Sequence, residues 1–188
     1  MMSKPSVLVV CLGNICRSPI GEAVLKHVAK ERGVDLTVDS AGTSNFHIGE
    51  DPDDRYAACA AEVPTAQRDR LLIPPPPILS AGAQLADDSP VEFNVPIEHA
   101  ARQVVPEDFR TFTHILAADE ANLRALNRMK PRDATAEVRL WGSYLDNEPI
   151  ADPYYGGMKD FEKVYHQCVK LSNAFLDEVL GKSTQGVE

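Results

Sequence analysis

Long apolar runs are scarce in this chain. The run behind the N-terminus, Val7–Leu12, covers six residues, far short of the ~20 that a membrane helix needs. It is also too short and too poorly flanked for a secretory signal, so no membrane span is expected and a cytosolic or nuclear protein is, with the cytoplasm as the expected location. Cysteine is sparse too: Cys11, Cys16, Cys59 and Cys168 lack the density of a disulfide scaffold, and free thiols in a reducing compartment are the expectation. No C-x-x-C pair occurs, and neither Cys11 nor Cys16 has a nearby histidine to complete a tetrahedral set. No metal and no cofactor is therefore expected. Cations are outnumbered, with 19 Lys and Arg against 28 Asp and Glu, a formal charge of −9. That argues against nucleic acid or an anionic membrane as partner, since such affinity comes mainly from Lys and Arg on phosphates. An anionic substrate held by a small local site remains compatible.

The remaining composition is ordinary for a globular chain, with 188 residues, 44% apolar and 25% charged. A single domain with a full core fits this length. Val7–Leu12 is β-branched and apolar throughout, the mark of a strand buried on both faces, as in a parallel sheet. Gly13-Asn14 breaks it. Ser18-Pro19 then reads as an N-cap followed by proline at the first helical position, and Ile20, Val24 and Val28 define one face of a helix ending near Gly33. Leu36–Ala41 reads as a second strand stopped by Gly42. Strand, loop, helix, strand is the opening βαβ unit of an open α/β sheet. Further on, Asp53–Glu62 looks helical, Glu107–Phe112 reads as a short helix, and Thr113–Ala117 as a strand. Asp119–Met129 reads as a helix capped by Asp119, with Leu123 and Leu126 inward, and Glu137–Trp141 as the last strand. Phe161, Val164, Cys168, Leu171, Phe175 and Val179 recur at helical spacing before Gly181. The expected fold class is α/β: a single-domain, open, mainly parallel four-stranded sheet with helices on both faces, Rossmann-like.

Residues 63–93 break this rhythm. They hold Pro74-Pro75-Pro76-Pro77 followed by small and acidic residues, a composition that suits an exposed loop with a short polyproline II segment. The α/β pattern resumes afterwards, so the stretch reads as an insertion within one domain, residues 1–188. A solvated loop is the first reading. A weak docking site for a partner that binds Pro-rich motifs, through residues 74–77, is the second.

The strand-to-helix loop reads Cys11-Leu12-Gly13-Asn14-Ile15-Cys16-Arg17-Ser18, in outline C-x5-R-S. Backbone N–H groups of Leu12–Arg17 can converge on one concavity with a helix N-terminus at its rim, an arrangement that binds phosphate. Gly13 is expected to allow close approach and to supply a positive φ; Asn14 tolerates the left-handed region. Arg17 adds a bidentate fork. Cys11 lies at the bottom, where those donors stabilise a thiolate and Ser18 can donate to the sulfur; cysteines so placed have pKa values of roughly 3.5–7.5. A thiolate aimed at a cradled phosphorus is a nucleophile for phosphoryl transfer. An alkoxide or phenolate leaving group then needs a proton, and Asp152, in Ile150-Ala151-Asp152-Pro153-Tyr154-Tyr155-Gly156-Gly157, is the candidate acid. The same residues also read as a plain Asp-Pro, Gly-Gly turn. Tyr154 and Tyr155 could form aromatic walls.

These stretches, together with Asp39-Ser40-Ala41-Gly42-Thr43, Ala101-Arg102-Gln103, Asp108-Phe109 and Asp119-Glu120-Ala121-Asn122-Leu123, resemble the low-molecular-weight protein tyrosine phosphatases over nearly the whole chain. The resemblance implies hydrolysis of phosphotyrosine in proteins, and of small aryl phosphates, by a metal-independent enzyme with acid phosphatase activity. It implies Cys11 as nucleophile, Arg17 as phosphate clamp and Asp152 as general acid and base. Leu12, Gly13, Asn14, Ile15, Cys16 and Ser18 would complete the phosphate loop, and Ser40 and His99 its supporting network. Phe46, Tyr154 and Tyr155 would wall the slot, and Cys16 would be the redox partner of Cys11. Ile15 favours phosphotyrosine over phosphoarginine, because arginine phosphatases of this fold carry threonine there. Two other readings compete. An arsenate reductase of the same fold would need shuttle cysteines, for which Cys59 and Cys168 look too much like core. A non-enzymatic phosphotyrosine-binding protein would be expected to lack Cys11, Arg17 or Asp152.

Overall fold

The computed structural model describes residues 4–55 and 99–181. The stretch 63–93 with its prolines, Cys59, and the helix expected over Asp53–Glu62 beyond Arg55 lie outside the described residues. Among the described residues four strands form one parallel sheet: β1 (Ser6–Cys11), β2 (Thr37–Gly42), β3 (His114–Ala117) and β4 (Glu137–Leu140), in the order β2-β1-β3-β4. The helices among the described residues are α1 (Arg17–Glu31), α2 (Asp108–Thr111), α3 (Glu120–Met129) and α4 (Met158–Val179), with a 3-10 turn at Trp141–Tyr144. The last strand thus stops at Leu140, and Trp141 turns inward rather than extending it.

The apolar run of β1 is central, with Val7, Leu8, Val9 and Val10 fully buried. Alternation sends Val7, Val9 and Cys11 to one face and Leu8 and Val10 to the other. The first face packs on α1 and α4 through Ile20, Val24, Phe161 and Phe175 around Trp141. The second packs on α2 and α3 through Phe109, Phe112 and Leu126. α1 approaches closely because Gly21 has no side chain: a Cβ there would sit 2.6 Å from Trp141 Cζ3. The chain leaves β1 toward β2 on one side and returns to β3 on the other. This reversal opens a crevice beyond the carboxyl ends of the strands, where α/β sheets bind ligands. Cys11 is the residue at that end of β1.

The start of α1 differs from the sequence expectation. Cys16, not Ser18, precedes the first helical residue, and no side chain caps it. Ser18 is already committed inward, to Cys11 and Asn14. Pro19 falls in the first turn, where its missing N–H has no intrahelical partner to lose. Asp119 does cap α3, accepting from the Asn122 N–H at 2.7 Å.

Candidate active site

Asn14 organises the loop after β1. It has φ +60°, the left-handed conformation that asparagine accepts better than most residues. Gly13 is not the left-handed residue. Its lack of a side chain serves close approach instead, since a Cβ would lie 2.8 Å from His47 Cδ2. Gly42 plays the same part beneath the loop, where a Cβ would meet Leu12 O at 2.8 Å. Thr43 and Ser44 then donate their N–H groups to Cys11 O and Leu12 O, both at 2.9 Å.

The polar network has a direction. The Arg102 N–H donates to Asn14 Oδ1 at 2.8 Å, and His99 Nε2 lies 2.7 Å from the same oxygen. A backbone N–H can only donate, so the Asn14 amide nitrogen faces the other way. It donates to Ser18 Oγ at 2.9 Å and to Ser40 Oγ at 3.0 Å. Ser40 passes its own proton to Glu22 Oε2 at 2.7 Å. Ser18, accepting from Asn14, has its hydroxyl hydrogen left for Cys11 Sγ, 3.0 Å away; Ala41 O, at 3.4 Å, is the more distant acceptor. The Asn14 N–H also points at the sulfur, at 3.3 Å. Two donors thus converge on the Cys11 sulfur.

Glu22 closes the network from below. Burial would push its carboxyl up, but hydrogen bonds from His99, Lys26 and Ser40 more than offset this and hold it below the ordinary glutamate value. Sequence reasoning missed Glu22. The available signal was its place one turn after Ser18 on the same face of α1. Glu22, Asp39 and His99 also bring three potential metal ligands together among the described residues. Their groups are already engaged by Lys26, Ser40, Asn14 and Arg102.

Arg17 is nearly fully buried. One terminal nitrogen donates to Asp119 Oδ2 at 2.6 Å and to Ile150 O at 3.3 Å, and the other to Asp152 Oδ2 at 2.6 Å. Asp119, read in the sequence as a helix cap within a stretch that carries the family resemblance, also anchors the arginine; nothing in the linear spacing signals that contact. Cys11, Arg17 and Asp152 line one slot of about 320 Å³, together with Leu12, Gly13, Ile15, Cys16, Phe46, His47, Tyr154 and Tyr155. Phe46 and Tyr155 stand largely exposed at its rim. His47, a further residue the sequence reading missed, is held there by Glu50 at 2.7 Å. Ser40 and His99 lie behind the loop, outside the slot. Cys16 is a free thiol pushed up by burial and by neighbouring Asp53, to which its Sγ donates at 3.6 Å. Cys168 is fully buried in α4 among the core residues.

Comparison with known proteins converges on one family. The family model described as low molecular weight phosphotyrosine protein phosphatase matches residues 6–67 and 89–185, leaving 68–88 between the two matched stretches. A human protein of that name is 40% identical over 179 residues, 92% of this chain and 94% of its own length. A protein tyrosine phosphatase from Entamoeba histolytica superposes with a TM-score of 0.72 at 27% identity, covering 95% of this chain and 99% of that one. A Drosophila arginine phosphatase does so at 0.70 and 28%, covering 96% and 99%. Membership is shown by the matched stretches and by the extent of these likenesses: this chain belongs to the low-molecular-weight phosphotyrosine protein phosphatase family.

Proposed function

We propose that the protein hydrolyses phosphotyrosine in proteins, and small aryl phosphates, through a phosphocysteine on Cys11. The observation that carries this reading is the meeting of Cys11, Arg17 and Asp152 in one aromatic-rimmed slot. The Cys11 thiolate, stabilised by Ser18 and the Asn14 N–H, attacks phosphorus. The bond to the phenolic oxygen breaks, and Asp152 gives that oxygen its proton. Water then attacks the phosphocysteine, Asp152 takes a proton from it, and the sulfur–phosphorus bond breaks to release phosphate and the thiolate. Arg17 exchanges Asp152 for the phosphoryl oxygens while Asp119 and Ile150 O keep its other nitrogen in place. Substrate binding therefore frees the very carboxyl that the chemistry needs. Phosphoryl charge is met by Arg17 and the loop N–H groups, so no metal is required, and activity should peak on the acid side of neutrality, the behaviour of an acid phosphatase.

Phe46, Tyr154 and Tyr155 suit a planar aryl group. Ile15, which lines the slot, favours phosphotyrosine. Phosphoarginine is the second reading, favoured by the likeness to the Drosophila arginine phosphatase. Oxidation of Cys11 by a peroxide to the sulfenic acid, then condensation with the Cys16 thiol to a disulfide and water, would protect the nucleophile. Phosphotyrosyl proteins of the cytoplasm are the proposed substrates. Among the described residues no helix is long and apolar enough to cross a membrane.

The test is p-nitrophenyl phosphate hydrolysis between about pH 5 and 7 with EDTA. Activity that survives chelation and disappears in Cys11→Ser is expected. Loss of activity on chelation overturns the scheme.

A further inference from the structure

The loop that carries Asp152 has little core of its own. From Ala151 to Gly157 only Pro153 is buried. The hydrogen bonds within it are short-range, from the Tyr154 N–H to Asp152 Oδ1, the Gly156 N–H to Pro153 O and the Gly157 N–H to Asp160, and from outside Arg17 holds Asp152 Oδ2. A further support comes from Arg55, about a hundred residues away in sequence. Arg55 donates from one terminal nitrogen to Gly156 O and from the other to Tyr154 O, both at 2.8 Å. Its guanidinium lies over the Phe161 ring, 4.7 Å from the centroid. Asp53 fixes that fork from behind, accepting from Arg55 Nε at 2.8 Å and from a terminal nitrogen at 2.6 Å. Asp53 is itself tied to the phosphate loop, through its N–H to Ile15 O at 2.8 Å and through the Cys16 thiol. The two residues thus connect the loop that holds the nucleophile with the loop that holds the acid, and neither lines the slot in which Cys11, Arg17 and Asp152 meet.

We propose that Asp53 and Arg55 form a positioning bridge, footed on Ile15 and Cys16, that sets where the Asp152 carboxyl stands relative to a phosphate held over Cys11. This rests on the reading of Asp152 as the acid. A proton donor must reach the leaving oxygen within hydrogen-bond distance, and a displacement of an ångström is enough to cost much of its contribution. A planar fork gripping two carbonyls from a fixed carboxylate constrains both position and orientation, which a single contact does not.

The experiment compares kcat/KM for phenyl phosphate, a poor leaving group, and p-nitrophenyl phosphate, a good one. Inhibition by inorganic phosphate is measured in parallel. Arg55→Met should lower kcat/KM on phenyl phosphate about tenfold but on p-nitrophenyl phosphate by no more than about threefold, with phosphate inhibition changed less than about twofold. Arg55→Lys should recover part of the loss. In an Asp152→Ala background, Arg55→Met should add less than about twofold on either substrate, because the group it positions is gone. If Arg55→Met fails to fold, Asp53→Asn, nearly isosteric, should show the same partition at smaller amplitude. Equal losses on both substrates, an undiminished loss in the Asp152→Ala background, or no loss at all would each overturn the proposal. A wild type inactive on both substrates, or a Cys11→Ser variant that stays active, would overturn the proposed function and this inference with it.

Discussion

Asn14 and Ser18, in the loop after β1, have no exposed surface, whereas Tyr155, in the loop before α4, is 96% exposed. Both loops line the same slot. The first is locked by a continuous chain of hydrogen bonds from Glu22 to the Cys11 sulfur. The second carries a half-exposed Asp152 paired with Arg17 and is braced from outside by Arg55. The difference follows from the two tasks. A phosphate cradle must present its donors without reorganising when charge arrives, so burial and a closed network suit it. A proton donor must let the substrate in and exchange protons with water, so it stands at the surface on a loop that can be adjusted.

The comparison breaks most completely at the nucleophile. Cys11→Ser should abolish turnover by on the order of 10⁴-fold or more while leaving phosphate binding measurable, since the loop and Arg17 remain. Asp152→Ala, on the exposed side, should cost roughly 10²–10³ in kcat/KM for phenyl phosphate and distinctly less for p-nitrophenyl phosphate. Asn14→Ala attacks the locked side. It removes the hub of the network and puts alanine at φ +60°, so about 2–4 kcal/mol of stability should be lost with activity on both substrates alike, measured by denaturant unfolding beside kinetics.

Glu22→Gln should sharpen the pH behaviour of the same side. The native carboxyl sits below its ordinary value of 4.5. Its ionised form therefore stabilises the fold fully above that value, and the contribution is lost as pH falls through the lowered native one. The Tm gap between wild type and Glu22→Gln should be widest near neutrality and narrow as pH falls. A gap that widened in acid would contradict the network. The smallest change is expected from Ile15→Thr, in the lining of the slot. It should shift relative kcat/KM from phosphotyrosine toward phosphoarginine by several-fold, and no shift would remove Ile15 as a selector.

Legibility followed the range of the interaction. β1, α1 and α4 were visible because each buries a continuous or periodic apolar set, and local spacing reports that directly. The start of α1 was misread because Ser18 has the composition of a cap, but its hydroxyl is taken by Asn14 and Cys11. Gly13 and Asn14 are both open to the positive φ in a linear reading, because adjacent Gly and Asn compete for the same role; Asn14 carries it and Gly13 serves close approach. Glu22 had a faint helical-spacing signal, whereas the Arg17–Asp119 pair spans 102 residues in sequence and had none.

Local order along the chain determined the class of fold, the loop that can hold a phosphate, and a thiol and an arginine within it. Those depend on residues a few positions apart, whose spacing fixes their geometry once strand and helix form. Tertiary structure alone decided that Glu22, Ser40, His99 and Arg102 would orient Asn14, that Arg17 would sit between Asp119 and Asp152, and that Asp53 and Arg55 would link the two loops. Each of those contacts joins segments that come together only when β1, β2 and β3 align their carboxyl ends on a common edge, and no propensity or period encodes which side chains then meet.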